Sequence, residues 1–289
     1  MRETYELRVE PTIAERFFQR EFVHDLGSVW VVRLDSMDPR VLALTLAARE
    51  TRAAGRGAIL GWRIIRHYSK QEIAKAEWFH FKTTRWVMTC GEQCSTVYDE
   101  TNACAVCGWG AIQTNLLALP LSKIGKGLDV SWTWADEWVA SDKFRAQLQA
   151  VLGPAVRFAP ILNCSRSQPI DPKPSDLVSG FWQLHCVDQC FEVLDSTVVR
   201  DHVIDQYPDV DMKPCPFGHS LGRHPISELK LKMLSLPKGG FCRTSNGFGR
   251  KQGYFRPKSE VVVNRAFYET WQTLGLRGAK FEIAHVENV

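Results

Sequence analysis

The sequence contains no run approaching the roughly 20 apolar residues that a bilayer-spanning helix requires. Its opening, Met1-Arg2-Glu3-Thr4-Tyr5-Glu6-Leu7-Arg8, lacks the apolar core of a secretory signal. These absences argue against a helical membrane protein and an exported one, and leave the cytoplasm as the expected compartment. A Walker-type glycine loop, an HExxH helix and a GxSxG elbow are also missing, so the commonest sequence signs of catalysis are not there. Nothing in the composition suggests disorder. With 45% hydrophobic and 24% charged residues, the 289-residue chain is globular and long enough for two domains or one large composite one.

What the chain does have is cysteine, nine in all. In a chain of this size, without a signal peptide and with CxxC-like spacing, metal ligation is a better reading than disulfides. Two stretches read as one module written twice. The first is Trp86, three residues, Cys90, three residues, Cys94, then Cys104-Ala105-Val106-Cys107-Gly108. The second is Trp182, three residues, Cys186, three residues, Cys190, then Cys215-Pro216-Phe217-Gly218-His219. The copies are offset by 96 residues at the Trp and the first two cysteines, by 111 at Cys104 and Cys215, and by 112 at Cys107 and His219.

Zinc takes four tetrahedral nitrogen and sulfur ligands, and two cysteines in one tight turn present both sulfurs to one ion. Two structural zinc sites are therefore expected along the chain. Cys90, Cys94, Cys104 and Cys107 would form the first; Cys186, Cys190, Cys215 and His219 would form the second, with His185 and His224 as competing ligands. Four protein ligands leave no open coordination position, so both ions would be scaffolding. Cys164 and Cys242 are left over as small buried hydrophobes.

The duplication extends further. At an offset of 112, Leu117, Leu119, Leu121 and Ile124 align with Leu229, Leu231, Met233 and Leu236, an alternation that suggests strands. At 123, Glu137 to Phe158 aligns without gaps with Glu260 to Phe281. Here Ser141 and Asn264 are N-caps to helices with Phe144/Leu148/Val151 and Phe267/Trp271/Leu274 on one face. Ahead of the repeats, strands are expected at Tyr5 to Val9, Val29 to Leu34 and Gly61 to Tyr68, and a helix from Pro39 to Thr51. Ser69-Lys70-Gln71-Glu72 is a capping box opening a helix to about Phe79. The expected fold is α+β: two repeated zinc-knuckle plus strand-helix-strand modules preceded by an N-terminal α/β segment. The expected division is 1–85, the N-terminal segment; 86–162, the first module; 163–181, a Ser/Pro-rich connector; and 182–289, the second module.

The formal charge is +4, and two metallated thiolate sites would bring it close to neutral. One loop, Ser245 to Lys258, interleaves basic, aromatic and glycine residues. Phe248, Arg250, Lys251, Tyr254 and Arg256, with Arg243 just ahead of the loop, are the candidate contacts to a nucleic acid or a partner; a turn with solvated cations is the plainer reading. A second basic patch gathers Arg49, Arg52, Arg56, Arg63 and Arg66. Trp62, Arg63, Trp132 and Trp134 are candidate anchors for a protein partner, or core residues.

The duplicated knuckles and the closing block Leu274-Gly275-Leu276-Arg277-Gly278-Ala279-Lys280-Phe281-Glu282 resemble the double-CXXCG immunity-like proteins of myxobacteria. The Gly91 to Glu100 segment is also similar to one in other bacterial double-knuckle proteins. The resemblance covers roughly residues 60 to 289. The chain departs from the pattern where Gly218-His219 replaces Cys-Gly and where the first half-sites are CxxxC. The resemblance implies a cytoplasmic protein that neutralises a cognate toxin by stoichiometric binding, without chemistry of its own. Two other readings remain open. One is a zinc-ribbon nucleic-acid-binding protein associated with mobile elements. The other is an enzyme, which would need a cleft between the repeats with converging ionisable groups.

Overall fold

The protein is described from a computed structural model that covers residues 1–54, 57–124, 127–154, 156–164, 177–200, 202–203 and 213–287. Residues 165–176 of the expected connector, and Arg56 of the basic patch, lie outside the described residues. The chain divides into two compact units: Met1–Lys75 with Val198–Met212 and Arg223–Ser227, and Ala76–Thr197 with Lys213–Gly222 and Glu228–Val289.

The first unit is built on β1 (Arg2–Val9), β2 (His24–Asp25), β3 (Trp30–Asp35) and β4 (Ile59–His67), in the antiparallel order β2-β3-β1-β4. Alternate residues Leu7 and Val9 of β1, and Trp30, Val32 and Leu34 of β3, are buried with Leu44, Ala47 and Ala48. Those three belong to α2 (Pro39–Ala53), which follows the short α1 (Pro11–Ala14). Asp38 caps α2 by accepting from the Arg40 N–H, and Pro39 occupies the first turn, where its missing N–H costs nothing. The Ser69/Glu72 capping box forms, but α3 (Lys70–Lys75) ends four residues before Phe79. Period-two burial takes over in β5 (Trp78–Thr83), where Phe79 and Phe81 are fully buried.

The second unit overturns the expected α+β class. The protein is mostly β, with 41% strand against 21% helix, several sheets and a closed six-stranded barrel. After β5 come β6 (Trp86–Val87), β7 (Tyr98–Asp99), β8 (Ile112–Gln113), β9 (Ala118–Leu119), β10 (Val130–Thr133) and β11 (Trp138–Ser141). Next are α4 (Asp142–Leu152), β12 (Val156–Asn163), β13 (Leu177–Cys186) and β14 (Gln189–Val193). The strands β15 (Val199–Arg200) and β16 (His224–Pro225) form a two-stranded ladder belonging to the first unit. The chain closes with β17 (Leu229–Met233), β18 (Phe241–Phe248), β19 (Lys258–Asn264), α5 (Arg265–Thr273) and β20 (Ala279–Glu287).

One sheet runs β6-β10-β11-β13-β12-β9, and the barrel runs β14-β17-β20-β5-β19-β18. Their registers superpose residue by residue. Adding 112 to β9 and 123 to β12 turns Ala118↔Leu162 into Lys230↔His285, and Leu119↔Asn163 into Leu231↔Val286, both of which are observed. Adding 111 to β10 and 123 to β11 turns Val130↔Ala140 into Phe241↔Val263. Adding 103 to β5 carries His80↔Val262 and Phe81↔Phe281 onto the partners Gln183↔Val139 and Leu184↔Phe158. The two sheets therefore share one cyclic strand order. The second is closed by the β14–β17 ladder, whereas no β6–β9 ladder occurs among the described residues.

This correspondence shows why free-standing modules were the wrong architecture. β5 leads into β6 of the first sheet but hydrogen-bonds between β19 and β20 of the barrel. β13 leads into β14 of the barrel but lies between β11 and β12 of the first sheet. Each repeat lends its leading strand to the other, so neither closes alone. The ladders also replace the 96-residue match of Trp86 with Trp182. At the structural offset of 103, Trp86 corresponds to Gln189, and both pair in parallel with equivalent positions, Trp132 and Arg243.

The repeats meet over an aromatic core. Phe144 of α4 and its equivalent Phe267 of α5 are fully buried, with ring centroids 6.5 Å apart, and Trp271 lies 5.9 Å from Phe144. Ser141 and Asn264 cap the two helices by accepting the N–H of Phe144 at 3.0 Å and of Phe267 at 2.9 Å. Replacing either cap by Ala is expected to cost about 1 kcal/mol, measured by urea denaturation. Equal losses at the two sites are the expected outcome of their equivalent geometry.

Candidate metal centre

Each repeat carries one six-residue knuckle; the two are closed by equivalent backbone hydrogen bonds but turn at positions one residue apart. In the first, the Cys104 N–H donates to Trp109 O at 2.8 Å and the Gly108 N–H to Cys104 O at 2.7 Å. In the second, the Cys215 N–H donates to Ser220 O at 2.7 Å and the Gly218 N–H to Cys215 O at 2.9 Å. Gly108 and Gly218 take φ of 79° and 75°, the left-handed region that a side chain disfavours. At Gly108 a Cβ would also stand 2.5 Å from Lys251 Cβ. The knuckles align without a gap at 111, so His219 comes from one position later than the equivalent of Cys107.

Cys104, Cys107, Cys215 and His219 converge, their ligand atoms all within 4.8 Å of one another. Cys104 Sγ lies 3.8 Å from Cys215 Sγ, and His219 Nδ1 lies 3.9 Å from both Cys107 Sγ and Cys215 Sγ. A tetrahedron with metal–sulfur bonds of about 2.3 Å has edges of about 3.8 Å, so these spacings suit one ion. The Cys107 and Val106 N–H groups, with His219 beside them, pull the Cys104 thiol down to about 6. Burial pushes Cys107 up to about 12.

The structure thus groups the expected ligands differently from the sequence order. Each knuckle supplies half of one shared site, in place of two sites each completed by upstream cysteines. Cys90 and Cys94 are buried around the Gly91–Cys94 turn. There Gln93 Oε1 accepts the Cys90 N–H at 3.3 Å, and Cys94 packs with Ala118, Leu162 and Cys164. Burial and the neighbouring Cys164 push the Cys94 thiol to about 12. Cys186 and Cys190 lie at the β13–β14 turn with Asp188 and Cys242. His224 belongs to the first unit, its ring 5.6 Å from Trp62. The sequence sign that the knuckles stand apart from the upstream cysteines is the change of offset, from 96 at Cys90 and Cys94 to 111 at Cys104 and 112 at Cys107.

The loop singled out for nucleic acid braces the first knuckle. The Lys251 N–H donates to Cys107 O at 2.8 Å, and its ammonium pairs with Glu100. Arg256, buried over the Tyr98 ring, pairs with Glu92 at 2.9 Å and Glu100 at 2.8 Å. Arg243 pairs with Asp136, Arg250 donates to Lys213 O at 2.8 Å, and Phe248 is fully buried. Of the six candidates, Lys251 and Tyr254 are exposed. Among the candidate anchors, Trp62 is half-buried, Arg63 pairs with Glu6, Trp132 lies under the Lys258 ammonium, and Trp134 packs on Phe255.

A cleft of about 310 Å³ opens between the repeats, lined by Trp109, Gln113, Asp136, Glu137, His185 and Arg243 among others. Burial raises the Asp136 and Glu137 carboxyls and, with Arg243, lowers His185. Asp136 holds φ of 65°, a strained conformation for a residue with a side chain. No protein-family model matches the chain, and no curated protein matches it.

Proposed function

We propose that the protein is a zinc-stapled, non-catalytic binding protein of immunity type, which neutralises a cognate toxin by direct contact. The observation that carries this reading is the closed donor set. Cys104, Cys107, Cys215 and His219 supply three sulfurs and one nitrogen, which fits Zn²⁺ and leaves no coordination position for water or substrate. The ion's work is then to hold two loops together. The equivalent knuckle tips, Val106 and Phe217, are exposed on those loops and give a partner apolar contacts. The immunity role itself comes from the sequence resemblance.

The test is co-expression with the toxin-like product of a neighbouring reading frame. Rescue of growth and co-purification as a stoichiometric complex are expected, both lost in Val106→Asp/Phe217→Asp with zinc retained. Failure to rescue, together with nucleic acid held at low salt and released steeply as salt rises, would favour the zinc-ribbon alternative.

A second reading draws on the cleft, whose convergence of Asp136, Glu137, His185 and Arg243 meets the requirement set for a site between the repeats. It gains support if His185→Ala abolishes binding of a small polar ligand while toxin neutralisation persists.

A further inference from the structure

The four cysteines outside the shared centre and the Cys90/Cys94 turn are Cys164, Cys186, Cys190 and Cys242, and three of them belong to one place. β13 ends at Cys186 and β14 begins at Gln189, so Asp188 sits in the turn between. β14 then runs parallel to β18, but the register slips between Gln189 and Phe191, leaving Cys190 as the extra residue of a bulge. A bulge re-aims its side chain. Here it brings the Cys190 sulfur, the Cys242 sulfur of β18 and an Asp188 carboxylate oxygen within 4.8 Å of one another.

We propose that Asp188, Cys190 and Cys242 form a second metal site, for Zn²⁺. Two thiols and a carboxylate are a donor set that zinc accepts, and binding releases the two thiol protons to solvent. The surroundings are built to hold it. The Lys238 N–H fixes Asp188 Oδ2 at 3.1 Å, which orients the carboxylate as an outer-shell partner does. The backbone is pinned on both sides, the Arg243 N–H donating to Asp188 O and the Leu234 N–H to Cys190 O, each at 2.8 Å. Both sulfurs are buried, whereas Asp188 is partly open to solvent and marks the side from which an ion enters.

The first sheet is an internal control. At the structural offsets, Cys242 corresponds to Ser131 and Asp188 to Arg85, whereas Cys190, the extra residue of the bulge, has no counterpart, since Val87 pairs with Thr133 as Phe191 does with Thr244. The ligand set is therefore private to the barrel and no by-product of the duplication. Cys186, whose thiol donates to Asp188 O at 3.7 Å and Phe241 O at 3.6 Å, adds a further sulfur beside the site.

The test counts metal in the full chain. Wild-type protein reconstituted with zinc is expected to retain two ions after gel filtration, Asp188→Asn/Cys242→Ser one, and Cys215→Ser/His219→Ala one. The last variant separates this site from the shared centre, since each loses a different ion. Cadmium-loaded wild-type protein checks the result without substitution, two ¹¹³Cd resonances being expected. One resonance, or a single ion wholly lost in the Cys215→Ser/His219→Ala variant, overturns the proposal. A Cys190–Cys242 disulfide in protein purified under reducing conditions overturns it too.

Discussion

Cys215→Ser is expected to lose the shared ion and to melt at least about 10 °C below the wild-type protein, with its far-UV circular dichroism largely kept. The size follows from what the ion does. Structural zinc contributes about 10–16 kcal/mol of apparent binding energy in small fingers that have no other core. The second unit has such a core, in Phe144, Phe241, Phe267 and Trp271, so only part of that energy is at stake. A net loss of about 5 kcal/mol corresponds to about 10–20 °C in a domain of this size. The damage should be local. The first knuckle is carried by β7 and β8, a ladder of only two residue pairs, and the second, among the described residues, by no strand of its own. Limited proteolysis is expected to cut the variant between 95 and 117 and between 213 and 223, while the aromatic core survives. A chelator acting on wild-type protein should give the same fragments. A melting point within about 2 °C of wild type would show that the loops do not depend on the ion.

Glu137→Ala is expected to destabilise by about 3 kcal/mol, and Glu137→Gln by less than half as much. The Glu137 carboxylate is buried and accepts the Gly91 N–H at 3.0 Å, the Tyr98 hydroxyl at 2.9 Å and the Thr133 hydroxyl. Ala leaves three buried donors without an acceptor, each costing about 1–3 kcal/mol, offset by relief from burying a charge. Gln keeps one carbonyl oxygen among them. Burial holds the Glu137 carboxyl above its ordinary value of 4.5, against the hydrogen bonds that pull it down. A raised native value means that the folded state binds the proton more tightly. Its contribution is complete below the unfolded value and is lost as pH rises through the folded one. Wild-type protein should therefore lose stability relative to Glu137→Gln as pH is raised from about 4 to 7, read from denaturant midpoints. A difference independent of pH would contradict the raised carboxyl. The equivalent residue, Glu260, is buried on His80 instead, and the nearby Lys258, Lys82 and His80 outweigh burial and hold it below its ordinary value.

The legible parts of the fold were local. The N-caps at Ser141 and Asn264 and the capping box at Ser69 rest on residues within one turn, and the sequence displays them directly. The duplication was legible wherever both copies kept hydrophobic spacing, as at Phe144/Phe267. The strand exchange was hidden, because β5 and β13 obey the same alternation whichever sheet they join. That also concealed the offset of 103, and Trp86 and Trp182 were matched by composition where the ladders match Trp86 with Gln189. The α+β class failed for the same reason. The two conspicuous helices are easy to read, whereas two-residue strands such as β6 and β9 carry no period, and the barrel depends on β5 pairing with β19 and β20, over a hundred residues away.

The candidate ligands divide along the same line. Knuckle spacing points to every residue of the shared centre, but assigns each its partners within one repeat. Symmetry-related loops that meet can share one ion, and only the three-dimensional return of the second repeat shows that they do. Cys242 had no sequence sign at all: it stands in β18 as a buried apolar residue would, beside a bulge that sequence does not announce.

Whether the knuckles share an ion is decided most directly by zinc content in Cys107→Ser, Cys215→Ser and the double variant, purified alike and compared with wild type. The shared centre predicts that each single variant loses the same one ion and that the double variant loses no more. If each single variant loses one ion and the double variant loses two, the knuckles hold separate metals, and the account of a centre bridging the repeats is wrong.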